Sequence, residues 1–439
     1  MKWIAAVLAL LFLPFCWHRP RYGMALLLGL QVFFLGGSLD LGSEKFVYGA
    51  FFALLMLAWL PALVRTRHEW IKHPIAKWLV AVFVVTLISR FAGAAHGIAT
   101  VDWFRDLSPL LNYSWIFLGI YTFGPDVDLR KYSLFLLTLV TIVTIPITVE
   151  WMSFRSYFDE PVQIIGNATL GPVINLFGAS LATAFALDAK DKWGKRKYLA
   201  LAAGFVVAGF LTGTRTILIS VAVAGFAYFL LFRREKRASF RRAIVVVAVP
   251  LALISLVVFV LSSTQVVDFE AITARYSEAV TSDMLEDDTI QDRVAETLDA
   301  WTAFTERPVF GQGLGYRTET VYHMGGVEFQ PEMFFMHNFY AYVLTKFGIT
   351  GFVVFVGFLI SIIRSGAKTY FQRLTGFEKY YCGSMLTLMV ALMLTSITGA
   401  AFNDRLSTGL LGIMVGMMIA IERRSQGPAG AVRMIAHAS

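Results

Sequence analysis

The sequence predicts an all-α, polytopic integral membrane protein with 12 or 13 transmembrane helices and one large loop on the outer side. Three observations carry this. Of the 439 residues, 57% are hydrophobic and only 15% charged, and the mean hydropathy is +0.65; a soluble chain is about half apolar and a quarter charged. The apolar residues gather into blocks, several of them long enough to cross the hydrocarbon core, which takes about 20 residues per helix. The basic residues cluster in short loops between those blocks, as they do in cytoplasmic loops.

In order, the blocks are Trp3–Cys16, Gly23–Gly37, Phe46–Val64, Trp78–Ala95, Leu107–Phe123, Tyr132–Trp151, Thr169–Leu187, Tyr198–Leu211, Ile217–Phe232, Ala243–Leu261, Phe339–Ile363, Tyr381–Phe402 and Thr408–Ile421. The basic linkers Arg65–Lys77, Lys190–Lys197, Arg233–Arg242 and Arg364–Lys379, with the tail after Glu422, are assigned to the cytoplasm. Alternation then puts Leu41–Lys45, His96–Asp106, Ser153–Ala168, Thr212–Thr216, Ser262–His337 and Asn403–Arg405 outside. Three parts follow: N-terminal membrane helices over residues 1–261, the large loop over 262–338, and C-terminal helices with a tail over 339–439. The start of the chain lacks a small-residue cleavage site and reads as a retained first segment.

Charge is topological. The formal net charge is +8, yet Ser262–His337 holds 14 acids against 4 arginines and no lysine, a net of −10. The basic excess therefore lies in the loops, and no nucleic-acid partner is implied. The two cysteines, Cys16 and Cys382, sit at block ends as small apolar fillers, and the outer loop has no disulfide framework.

Within the outer loop, Asp292–Arg307 has helical spacing, with Val294, Leu298, Trp301 and Phe304 on one stripe. Arg307-Pro308 ends it, and Gly311-Gln312-Gly313-Leu314-Gly315 reads as a tight turn that folds the loop back. Glu286-Asp287-Asp288 is a solvated acid run without a histidine at ligand spacing, so no metal site is expected.

Several residues could carry chemistry. Arg215 lies in the polar hinge Thr212-Gly213-Thr214-Arg215-Thr216 between two apolar blocks. A charge at such a depth lines a cavity or binds a ligand, unless it snorkels to headgroups, and guanidinium matches phosphate in a planar fork. His337, at the mouth of a span beside Asn338, is placed to accept a proton or to be an ordinary interfacial histidine. Arg293 opens the loop helix and, read alone, is a surface arginine paired with Glu296 or Asp292. Arg90 and Arg105 add positive potential on the same side or contact headgroups. Asp102 and Asp106 are ambiguous.

In their order and spacing, Thr212-Gly213-Thr214-Arg215, the run from Arg293 through Trp301 to Pro308-Val309-Phe310-Gly311-Gln312-Gly313-Leu314-Gly315, and His337-Asn338 followed by Gly348-Ile349-Thr350-Gly351 resemble the O-antigen ligase/polymerase superfamily. The resemblance implies a GT-C-like, metal-independent, inverting glycosyltransferase without a cofactor, in the bacterial inner membrane with its active site facing the periplasm. The donor would be an undecaprenyl-diphosphate-linked glycan, and the acceptor a second lipid-linked glycan (polymerase) or lipid A–core (ligase). By the same resemblance, Arg215 and Arg293 would hold the diphosphate and His337 would act on the acceptor hydroxyl, with Asn338, Arg105 and Arg90 as further binding candidates. Arg293 on a loop helix would close as a lid. The acidic loop tilts the choice toward polymerase, because it would repel a phosphorylated core. The rivals are a lipid-linked sugar transporter or flippase, which would place ionisable residues deep in its spans, and a membrane scaffold.

Overall fold

The computed structural model describes residues 14–35, 43–65, 67, 71–124, 126–154, 170–211, 216–233, 288–318, 320–324, 327–329, 336–372, 374–399 and 401–426. The helices are α1 (Pro20–Leu35), α2 (Ser43–Arg65), α3 (Pro74–Ala94), α4 (Thr100–Leu111), α5 (Trp115–Thr122), α6 (Leu129–Phe154), α7 (Leu170–Asp188), α8 (Lys192–Leu211), α9 (Thr216–Arg233), α10 (Asp288–Glu306), α11 (Phe339–Phe371), α12 (Gly376–Thr395) and α13 (Arg405–Gln426). A short antiparallel ribbon, β1 (Tyr322–Met324) on β2 (Val327–Phe329), with Met324 opposite Val327, is the exception to an otherwise helical structure among the described residues. Four of these helices are long and apolar enough to cross a membrane by themselves: α2 from Tyr48, α3, α11 and α13. The expected span Ala243–Leu261 lies outside the described residues.

The core forms around α13. Its residues from Leu406 to Glu422 are all buried, and α1, α4, α5, α11 and α12 pack around it. Close approach is set by glycine: a Cβ on Gly119 of α5 would come within 2.6 Å of the Gly416 backbone of α13. Small residues at such crossings are how membrane helices bring their backbones together.

One expected span is different. The block Leu107–Phe123 is divided into α4 and α5 by a single 3-10 turn, Asn112–Ser114, and α4 starts at Thr100 inside the segment read as loop. The reason lies in its polar residues. Asp102 and Asp106 stand one turn apart on α4 and both are buried, so the helix turns its acids inward, toward partners that the local sequence does not name.

The feature that organises one end of the molecule is a break in α11. Gly348 has φ 64° and ψ −164°, outside helical space. A break strands backbone groups that must find other partners, and the segment after α10 supplies them. The N–H groups of Gln312 and Gly313 donate to the carbonyls of Thr345 (2.7 Å) and Lys346 (3.1 Å). The N–H groups of Ile349 and Thr350 donate to the carbonyls of Pro308 (2.8 Å) and Val309 (3.2 Å). The glycine run is a tight turn, as expected, and also a splint. Gly311 and Gly348 meet backbone to backbone, and Gly313 packs on the Gly93 backbone of α3.

Polar contacts separate the two ends. His73 before α3, Lys368 late in α11 and Glu422 late in α13 converge at one end, with His73 Nε2 3.2 Å and Lys368 Nζ 3.1 Å from the carboxylate. The α3–α4 turn, α10, the start of α11 and the α12–α13 link meet at the other. Among the described residues, His73 and Lys368 of two linkers assigned to the cytoplasm thus lie at one end, and His96–Asp106, His337 and Asn403–Arg405, assigned to the outside, meet at the other. Both cysteines are free and buried.

A methyl group at Gly348 would sit 2.5 Å from Val309 backbone atoms, and at Gly311 2.6 Å from those of Lys346, Phe347 and Gly348. Both positions also have positive φ. Gly348→Ala and Gly311→Ala should each destabilise the detergent-purified protein by more than ~1 kcal/mol, read as a lower unfolding temperature. Gly49→Ala, a site with open space in α2, should be neutral or slightly stabilising. Unchanged unfolding of Gly348→Ala would show that the splint is dispensable.

Candidate functional site

α10 carries the first half of the site. Its buried positions Asp292, Glu296, Ala300 and Ala303 recur at helical spacing, and this face, rather than the apolar stripe, docks onto α11. Thr345 Oγ1 donates to the Ala300 carbonyl (3.0 Å), and Gln312 Nε2 donates to the Ala303 carbonyl (2.7 Å) and to Glu306 (3.0 Å). The apolar stripe read from the sequence is on the other side: Val294, Leu298 and Trp301 are exposed. Capping by glutamine and threonine, and the small size of two alanines, let the less apolar face make the closer contact.

The docked face brings Glu296 to His337. One carboxylate oxygen accepts the His337 backbone N–H at 2.6 Å, and the other lies 2.9 Å from His337 Nδ1. Glu296 is 2% exposed while His337 is partly open, so a buried carboxylate orients the imidazole from behind. That is the base-and-orienter geometry of acid–base chemistry. One turn earlier on the helix, Arg293 Nη1 donates to the Thr398 carbonyl in the α12–α13 link. Glu296, read from sequence as a partner for Arg293, is instead held by His337. Asn338 caps α11, its side-chain oxygen accepting the N–H groups of Tyr340 (3.0 Å) and Ala341 (3.1 Å).

The second half is a charge network on the other side of the glycine run. Lys346 is fully buried; its ammonium reaches Asp106 Oδ2 at 2.8 Å, donates to the Tyr316 carbonyl and lies 5.5 Å from the Tyr342 ring centre. The same Asp106 oxygen accepts the Gly315 N–H at 2.8 Å. Asp102, one turn earlier, pairs with Arg105 and, at 3.3 Å, with Arg317. Arg90 donates to Thr100 Oγ1 (2.7 Å) and the Ile98 carbonyl (3.5 Å), and Arg405 Nε donates to Ser108 (2.8 Å). The turn that splints α11 is thereby tied to α4.

Residues 198–356 match the family model described as O-antigen ligase. The match supports the O-antigen ligase/polymerase superfamily, and it spans α8, α9, α10, the glycine run and α11 through its break. No curated protein matches the chain. The matched segment contains Arg215, Arg293 and His337, whereas Arg90, Asp102, Arg105 and Asp106 lie outside it, and Asp102 and Asp106 bond to its Arg317 and Gly315.

Of the residues singled out from sequence, the structure sets His337 against Glu296, one turn from Arg293 on α10, and puts Arg90 late in α3 and Arg105 in α4, on either side of the turn that joins them. Arg215 and the rest of 212–215 lie outside the described residues. The side chains of Glu286, Asp287 and Asp288 are also outside the description. Glu296 and Lys346 were missed. Lys346 did leave a signal, a lone charge seven residues inside the apolar block Phe339–Ile363, and an ionisable residue within a span ordinarily has a named partner. Glu296 was legible only as an alternative partner of Arg293, since nothing among the loop's 14 acids marks one as the partner of His337.

Removing the ammonium while leaving Asp106 buried should destabilise the protein strongly, by about 3–5 kcal/mol for a broken buried pair. Lys346→Met should therefore unfold at a lower temperature in detergent. The double change Lys346→Met/Asp106→Asn should recover part of the loss, and failure to recover any would mean that the pair is not coupled.

Proposed function

We propose that this chain is a membrane glycosyltransferase that polymerises glycan from an undecaprenyl-diphosphate-linked donor at the periplasmic face of the inner membrane. The observation that most supports this is the Glu296-held His337 one turn from Arg293, on the segment similar to O-antigen ligase. In this reading His337 takes the proton of the acceptor sugar hydroxyl, and with Nδ1 engaged by Glu296 the accepting nitrogen is Nε2. The hydroxyl oxygen forms a bond to the donor's anomeric carbon as the bond from that carbon to the diphosphate breaks. The bonding pair leaves on the diphosphate oxygen, so the configuration inverts.

Charge develops on the leaving diphosphate, and fixed guanidinium groups are worth most there because they need no reorganisation. Arg215 and Arg293 fill that role, with Arg105 and Arg90 as further positive groups on the same end. No metal or cofactor has a part in this scheme.

A ligase that uses lipid A–core as acceptor is the second reading, favoured by the description of the matching family. The net −10 of Ser262–His337 favours the polymerase, because a phosphorylated core would meet like charge. The buried Lys346 is the kind of deep ionisable residue expected of a transporter. Its ammonium is occupied by Asp106 and the Tyr316 carbonyl, which makes it a structural tie.

Purified protein in liposomes with undecaprenyl-diphosphate-linked repeat units should give a ladder of longer lipid-linked glycans without lipid A–core. Product that appears only when core is added would make it a ligase, and no product with any authentic pair would reopen the transporter. His337→Ala should lower turnover by at least ~100-fold, the low end of general-base contributions, in protein that stays folded and inserted. Arg215→Lys should also be poor, since a point charge does not replace the planar fork. Glu296→Gln should lower turnover less than His337→Ala, and wild-type rates for both would remove the dyad from the mechanism.

A further inference from the structure

α10 meets the rest of the protein through its polar and small residues and turns its apolar ones outward. Val294, Leu298 and Trp301 are 54%, 60% and 56% exposed. At about 100° per residue, these three with Thr297, Phe304 and Thr305 fill a sector of the helix that holds no charge. Asp292, Arg293, Glu296, Asp299 and Glu306 all fall outside that sector.

The apolar surface does not end with the helix. Val309 and Phe310 follow it and are 52% and 49% exposed. The carbonyls of Pro308 and Val309 accept the N–H groups of Ile349 and Thr350, so this strip abuts α11 just past its break. There Ile349 and Val353 are 46% and 55% exposed, on a helix long and apolar enough to cross a membrane. One continuous apolar strip thus runs from α10, over the Val309–Phe310 step, onto the outward side of a membrane span.

We infer that α10 is seated on the bilayer, with Val294, Leu298 and Trp301 in the boundary between headgroups and acyl chains. A lipid surface is the occupant because the strip is continuous with a face that the span itself turns to lipid. A tryptophan at its centre suits that depth, where an amphipathic ring has an apolar body and a polar edge to satisfy. Interfacial helices with such a charge-free sector sink about 5–10 Å into that boundary. The buried Glu296 then sits on the far side of the same helix and the anchored Arg293 on its flank, at the level of lipid phosphate groups. α10 is in this view a fixed interfacial wall of the site, in place of the closing lid that the sequence suggested. The inference does not depend on glycosyl transfer: it stands or falls on where α10 lies.

The test is made on full-length protein in liposomes, with a fluorophore on Leu298→Cys, on Val294→Cys, or on Asp299→Cys at the exposed charged edge of the same helix. The parent protein, whose two cysteines are buried, gives the labelling background. Brominated phosphatidylcholine should quench the labels at 298 and 294 strongly, and aqueous iodide should quench them several-fold less than the label at 299. Equal iodide quenching at all three positions would overturn the inference and return α10 to water as a lid. Labels at 298 and 294 that neither quencher reaches would also overturn it, in favour of cover by another part of the chain or by a second copy. Each variant must elute as the parent does on size exclusion, so that a misfolded protein is not read as either outcome.

Discussion

Four backbone hydrogen bonds across the break in α11 hold one end of this protein together. A helix that stops inside a membrane protein exposes carbonyl and N–H groups that no water satisfies cheaply. Here the segment Pro308–Gly313 lies across the gap and takes both pairs, the carbonyls of Thr345 and Lys346 on one side and the N–H groups of Ile349 and Thr350 on the other. The contact is possible only because both strands present glycine where they touch. A side chain at Gly311 or Gly348 would collide with the opposing backbone.

Other positions at that end follow from this splint. Because Gln312 is fixed by the Thr345 carbonyl, its side chain can hold the last turn of α10. Once α10 is held, Glu296 faces His337 at the mouth of α11. Because Gly315 is fixed on the other side, its N–H joins Lys346 on the Asp106 carboxylate, and α4 is drawn in. Two buried acids on two helices, Glu296 of α10 and Asp106 of α4, thereby acquire different duties. Glu296 orients a partly open histidine, and Asp106 neutralises a fully buried lysine. Both are buried, and each is stabilised there by two donors: the backbone N–H and ring of His337 for Glu296, and the Lys346 ammonium and Gly315 N–H on one oxygen of Asp106.

The placement of α10 illustrates how far local pattern reaches. Its helical spacing was legible, and so was the stripe Val294, Leu298, Trp301 and Phe304. Which face met the protein was not, because periodicity reports that two faces differ and not which solvent each one sees. In a soluble protein the apolar face would turn inward. Beside a membrane span, the same face has a second apolar medium available. Likewise the spans on either side of Gly348 read as one apolar block, since a break costs no hydropathy and only backbone geometry reveals it.

The sequence by itself determined the all-helical membrane class, the positions of most described helices, and the His337 and Arg293 positions within the segment similar to O-antigen ligase. These follow from composition, spacing and local motif, which the chain carries residue by residue. Only the tertiary structure decided that Gly311 and Gly348 close one another, that Glu296 rather than a neighbour serves His337, that Asp106 waits 240 positions before Lys346 as its partner, and that α10 docks by its less apolar face. Each of those is a pairing between distant segments. Hydrogen bonds and buried charges select partners by geometry in three dimensions, which a one-dimensional pattern of residue types does not encode.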